Sequence, residues 1–199
     1  MRTLVIDTAT AACSVALFED GECLASHYEV IGRGHAEHLV PFIERLPGQG
    51  RADKIAVNIG PGSFTGIRVG ISAARALAFA WDAPCTGYNC LDIIAAMAGA
   101  DTAVDAIMNG GHGEFFFQQF DALGMAISAP QSMPMTKAAA LSHAPIIAGD
   151  AADKLVRARG NGNAVICLPD ARQWHLIAGH TSLSSSPFYG RAPDAKPSV

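Results

Sequence analysis

The stretch Gly60-Pro61-Gly62-Ser63-Phe64-Thr65-Gly66 concentrates the residue types that could hold an anion. It follows the apolar run Lys54–Ile59 and precedes the alanine-rich run Ile67–Trp81. A strand, a glycine loop and a helix start together aim backbone N–H groups at a phosphate. The established loop patterns are not met. A P-loop needs Lys-Ser/Thr after its last glycine, where Ile67-Arg68 stands, and a dinucleotide fingerprint needs that glycine one position earlier. A nucleophile elbow needs glycines where Pro61 and Thr65 stand. A tight strand-to-helix turn with no ligand is the competing reading.

Three further groups could do chemistry. Asp7, Thr8 and Thr10 close the first apolar run; a carboxylate and hydroxyls there could hold magnesium and phosphate, or cap a turn. His35 and His38 are three apart on one helix face, but a zinc helix needs a spacing of four and an internal base, and no third ligand is evident, so no metal site is expected. Phe115-Phe116-Phe117 and Phe120 could stack bases or fill a core. His112, His143, His175 and His180 are scattered and take no role.

Positioning these residues requires an ordered α/β framework. Thr3–Ile6, Cys13–Phe18 and Glu22–Val30 read as strands, the last two joined by the hairpin signal Asp20-Gly21. Leu39, Val40, Ile43 and Leu46 repeat at three and four and predict an amphipathic helix. Lys54–Ile59 and Cys85–Tyr88 are further strands, Ile67–Trp81 and Leu91–Ala98 helices, giving βββαβαβα over residues 1–99. Residues 100–199 read as a smaller second lobe. Strands Ala103–Met108 and Glu114–Phe120 flank a Gly110-Gly111 turn, and Ile127–Met133, Ile146–Ala148 and Val165–Leu168 add strands. Helices are expected at Lys137–Leu141, Asp150–Arg159 and Ala171–Ile177, then an irregular tail from Ser182. The order repeats that of the first half in shortened form. Between Val69 and Trp81 the one charge is Arg75. A helix apolar nearly all round is covered on more than one side, by core or by a partner.

Composition narrows the class. Of 199 residues half are hydrophobic and 16% charged, which excludes disorder for most of the chain. A net charge of −4 argues against a stand-alone nucleic-acid binder. Five cysteines with no C-x-x-C pair exclude a disulfide framework and a thiolate zinc site, and fit a reducing cytoplasm. No signal peptide or apolar run of spanning length is read, so no membrane association is expected.

Leu4-Val-Ile-Asp7-Thr-Ala-Thr10, Cys13-Ser-Val-Ala-Leu17, Arg33-Gly-His35-Ala-Glu37-His-Leu39-Val-Pro41 and Gly60-Pro-Gly-Ser-Phe-Thr-Gly66-Ile-Arg68-Val-Gly70 resemble the TsaB/YeaZ family, strongly over residues 1–90. Pro187-Phe-Tyr189-Gly-Arg191-Ala-Pro193 resembles its C-terminal signature. The resemblance implies the duplicated actin/hsp70/sugar-kinase, ribonuclease H-like fold. It implies a non-catalytic subunit of the machinery that adds threonylcarbamoyl to N6 of adenosine 37 in ANN-decoding tRNAs. The expected partners are a catalytic TsaD-like paralogue and a TsaE-like ATPase, with tRNA reached through the complex and a homodimer formed in their absence. Pairing is implied through the first two helices, here His35, Leu39, Val40 and Ile43, then Ile67, Gly70, Ile71, Ala74 and Leu77. No catalytic residue, tightly held cofactor or metal is implied; ATP or ADP with magnesium would sit at a subunit junction, with Asp7, Thr8, Thr10 and Gly149 as the nearest candidates. Where the family often carries Asp-Ala-Arg, this chain has Met108-Asn109-Gly110-Gly111-His112. A small-molecule kinase or ATPase of the same fold, and an M22-type glycoprotease-like peptidase, are the alternative readings.

Overall fold

The computed structural model describes residues 1–99, 101–179 and 183–190. Strands β1 (Arg2–Asp7), β2 (Ala12–Glu19) and β3 (Glu22–Val30) form an antiparallel meander. Asp20 and Gly21 both adopt positive φ, the geometry of a type I′ hairpin turn. Helix α1 (His35–Glu44) follows, then β4 (Lys54–Asn58), α2 (Phe64–Trp81), β5 (Cys85–Tyr88) and α3 (Cys90–Met97). β4 lies parallel to β1, and β5 parallel to β4. The second half contributes β6 (Val104–Gly111), β7 (Glu114–Phe120), β8 (Gln131–Pro134), α4 (Met135–Leu141), β9 (Ile146–Ala148), α5 (Ala152–Arg159) and β10 (Asn163–Val165). Its sheet runs β10-β9-β6-β7-β8.

Successive strand residues point to opposite faces of a sheet. In the first sheet both faces are covered, which is why its strands read as continuous apolar runs. Leu4, Ile6, Val15, Leu17, Ile55 and Val57 pack under α1 and α2. Val5, Ala16, Phe18 and Ala56 pack on the other face against Tyr88, Ile93 and Trp174. In the second lobe Ile107, Phe117 and Ile147 meet Ala138, Ala151 and Leu155 of α4, the turn before α5, and α5.

Several elements differ from expectation. The β6–β7 turn is centred on His112 and Gly113, both at positive φ, not on Gly110-Gly111. The strand expected at Ile127–Met133 is confined to Gln131–Pro134, and that at Val165–Leu168 ends at Val165. Ala171–Leu176 is a 3₁₀ turn capped by the Asp170 side chain, not an α-helix. It packs on the first sheet through Ala171 and Trp174. The tail then supplies a strand, β11 (Leu183–Ser184), antiparallel to β5, and the first sheet runs β11-β5-β4-β1-β2-β3. The spatial division into lobes therefore does not follow one cut of the chain, because residues 171–177 and 183–184 return to the first lobe. His180 and the end of the tail signature, from Arg191, lie outside the described residues.

Candidate functional site

The glycine loop is packed onto the turn that follows β1. A Cβ on Gly66 would lie 2.0 Å from the Thr8 carbonyl oxygen, and one on Gly70 2.4 Å from Thr8 Oγ1. Both glycines are therefore spent on bringing α2 against β1. Thr8 Oγ1 donates to the Gly66 carbonyl (2.7 Å), Ser63 N–H donates to the Ala9 carbonyl (2.8 Å), and Ser63 Oγ caps α2 by accepting from Gly66 N–H. The tight-turn reading of this loop accounts for its glycines.

Asp7 stands behind that turn, fully buried. Its carboxylate accepts from Asn58 Nδ2 (2.7 Å) and Tyr88 OH (2.9 Å), and from Ala9 N–H (3.2 Å). Burial pushes its pKa up to about 6, against the opposing effect of the Asn58, Tyr88 and Ala9 bonds. Asp7 and Thr8 are both fully buried, whereas Thr10 lines the cleft described below. Gly149, at positive φ, is pressed against β6, where a Cβ would lie 2.0 Å from the Ile107 carbonyl oxygen. The residues around Asp7 do not fit a magnesium–nucleotide site, because the carboxylate is turned to internal donors. This corrects the expectation for Asp7 and Thr8; Gly149 holds the turn between β9 and α5, next to Asp150 in the cleft described below.

Between the lobes lies an open cleft of about 650 Å³. Thr10, Arg33, Ser63 and Thr65 line it from the first lobe, Asn109 and Asp150 from the second. Arg33 is the one cation among its described residues. The run that departs from the family pattern forms the far wall: Asn109 N–H donates to Asp150 (2.8 Å), and Gly111 N–H to Asn109 Oδ1 (2.9 Å). Burial raises the Asp150 carboxyl above its ordinary range, and Asn109 and Lys154 pull it back.

His35 and His38 do not converge. His35 is buried, its Nε2–H donating to the Ala12 carbonyl (3.2 Å), while His38 Nδ1–H donates to the Gly34 carbonyl (2.9 Å) and its ring edges Phe42. Among the described residues no group of three metal-ligating side chains occurs. Phe116, Phe117 and Phe120 are buried, the core reading of that run.

The helix residues expected at an interface divide by face. Leu39, Ile43, Ile67, Ile71 and Ala74 are core, packed on the sheet, and His35 and Gly70 are buried with them. They are not available to a partner, because the apolar stripe on each helix is the one that covers the sheet. Leu77 is half-buried against the same core. Val40 is 61% exposed. What the outside of α2 presents is Thr65, Ser72, Ala76, Phe79 and Ala80, with Phe79 92% exposed. Arg68 and Arg75 are turned to the tail: Arg68 Nε donates to Tyr189 OH (2.9 Å), and Arg75 Nη2 to the Ser185 carbonyl (2.7 Å). Asn58, Tyr88 and Phe79 escaped the sequence reading; Phe79 breaks the buried spacing of α2, which was a readable signal.

Two lobes that each place a sheet of this order beside helices, with a cleft between them, define the duplicated actin/hsp70/sugar-kinase fold. The ethanolamine utilization protein EutJ from Carboxydothermus hydrogenoformans shares it at a TM-score of 0.51 and 10% identity, covering 88% of each chain. The family described as "TsaD: tRNA N6-adenosine threonylcarbamoyltransferase" matches residues 27–185. A Pseudomonas aeruginosa protein described as similar to the peptidase YeaZ superposes at a TM-score of 0.80 and 30% identity, over 96% of this chain and 99% of its own. The Escherichia coli tRNA threonylcarbamoyladenosine biosynthesis protein TsaB is 38% identical over 128 residues, 60% of this chain and 55% of its own length. The chain belongs to this TsaD family, in its TsaB/YeaZ branch. It spans about half the length of the curated relatives it matches. Among the described residues no helix is long and apolar enough to cross a membrane.

Proposed function

We propose that this chain is the non-catalytic partner subunit in the synthesis of N6-threonylcarbamoyladenosine at position 37 of ANN-decoding tRNAs. It docks a TsaD-like transferase on the outward face of α2 and the neighbouring Val40 of α1. The observation that carries the reading is the uncharged ridge of Thr65, Ser72, Ala76, Phe79 and Ala80, on a helix whose two arginines are engaged by the tail. Small side chains let a second helix approach closely, and an exposed phenylalanine is the kind of anchor that dominates interface energy. The name of the Escherichia coli relative supplies the pathway.

A TsaE-like ATPase joins that pair. The net charge of −4 leaves most of the grip on tRNA to the complex. Without its partner the chain pairs with itself through the same ridge, since one self-complementary patch favours two-fold symmetry. A nucleotide at the subunit junction would meet this chain at Thr10, Arg33, Ser63 and Thr65. The reaction belongs to the cytoplasm, where tRNA is modified. The kinase reading needs Asp7 in the cleft, and Asp7 is bonded instead to Asn58 and Tyr88.

The test is co-purification with the TsaD-like protein of the same organism, sized by light scattering. A one-to-one complex that replaces the homodimer, and that Phe79→Asp abolishes while the circular dichroism of the subunit stays unchanged, is the expected result. Wild-type binding by Phe79→Asp overturns the assignment of the surface; no complex with the wild type overturns the subunit reading.

A further inference from the structure

A second cavity, of about 520 Å³, opens between the lobes beside the tail. Ile59, Ala126, Pro130, Leu183 and Phe188 give it apolar walls. Asn89 and Gln118 also line it, but their amides are already satisfied. Asn89 Nδ2 donates to Gln118 Oε1 (3.2 Å), Asn89 Oδ1 accepts from Leu91 N–H (2.9 Å), and Gln118 Nε2 donates to the Ser128 carbonyl (3.1 Å).

Asp92 enters the same cavity and differs from these amides. It is the one charged side chain among the described residues that line it. It stands three residues after Asn89, the N-cap of α3, where a carboxylate can reach back to the cap N–H. It makes no such bond, and no hydrogen bond or ion pair reaches it from the described residues. Burial pushes its pKa up to about 6. At neutral pH a half-buried carboxylate therefore stands in the apolar crevice with no partner among the described residues, a position that a cation would stabilise.

We infer that this crevice binds a small organic cation, an amine on an apolar body, with the ammonium on Asp92 and the body against Ile59, Pro130 and Phe188. The ammonium donates charge-assisted hydrogen bonds to the carboxylate. The walls take the body out of water, and the volume falls in the range of about 300–1,000 Å³ usual for small-molecule sites. A single carboxylate is too few ligands for a divalent metal, and an anion would face Asp92 with no cation among the described lining residues. The crevice is separate from the outward face of α2, so the inference stands independently of the subunit reading.

Calorimetric titration of the full chain at pH 7.5 with phenethylamine, 2-phenylethanol and 3-phenylpropionate tests it. The amine is expected to bind about tenfold more tightly than the alcohol, the effect of one hydrogen bond to a charged group, and the carboxylate not to bind. Asp92→Asn lowers the amine to the level of the alcohol and leaves the alcohol unchanged. Ala126→Phe, which narrows the crevice from its exposed wall, weakens both, and it decides the case if Asp92→Asn fails to fold. Equal binding of amine and alcohol, an unchanged amine affinity in Asp92→Asn or Ala126→Phe, or no amine binding overturns the inference.

Discussion

On its inner face α2 presents Gly66, Ile67, Gly70, Ile71, Ala74 and Ala78 to the sheet; on its outer face it presents Thr65, Ser72, Ala76, Phe79 and Ala80 to solvent. Both faces are made of small and apolar residues, and hydropathy alone does not separate them. The inner face is small because the backbone must approach Thr8. Among the described residues, the tail meets the outer side of α2 at Arg68 and Arg75 and leaves Ala76, Phe79 and Ala80 exposed. A residue type thus carries opposite consequences depending on whether it already has a neighbour, and the substitutions in α2 below test that contrast.

The largest effect belongs to the inner face. Ala74→Glu drives a carboxylate among core side chains with no partner, and should abolish the folded circular dichroism spectrum. The milder Ile67→Ala is expected to cost about 3 kcal/mol in urea denaturation, as deletion of a fully buried aliphatic side chain does. Next comes Asp92→Asn. The Asp92 pKa is about 6 in the fold against 3.8 for the free group, so the native state holds this proton more tightly. Its contribution to stability is complete below about pH 3.8 and is lost as pH rises through about 6. Asp92→Asn should therefore gain up to about 2 kcal/mol on the wild type between pH 4 and pH 7.5, read as the difference between their urea midpoints at each pH. Ser63→Ala removes the cap of α2 and should cost about 1 kcal/mol. Smallest for stability is Ala76→Glu on the outer face, expected within about 0.5 kcal/mol of the wild type in the same denaturation, yet enough to abolish pairing on light scattering. A large loss of stability in Ala76→Glu would break the contrast between the faces.

Much of the first lobe was legible. Continuous apolar runs, the Asp20-Gly21 turn and the three–four spacing of Leu39, Val40, Ile43 and Leu46 each encode their element locally. The orientation of a face was not, because periodicity says which residues share a side and not what lies opposite. Hence Leu39, Ile43, Ile67, Ile71 and Ala74 read as an interface and are core. Asp7 was read as a ligand or a turn cap; its bond from Ala9 N–H is the cap, while its partners Asn58 and Tyr88 lie far along the chain. Tertiary pairing of this kind leaves no local trace. The second lobe was less legible because its elements are short: β9 and β10 have three residues each, too few for a period to show. β11 has two, in a stretch whose serines and prolines read as irregular.

That last strand has a consequence for how the molecule is made. Leu183 pairs with Gly87, and Phe188 N–H donates to the Ile59 carbonyl, so the tail closes an edge laid down about half a chain earlier. During synthesis β5 emerges from the ribosome long before its neighbour exists. Until residue 183 follows, the nascent first lobe exposes an unpaired strand edge, the kind of surface to which another chain can add.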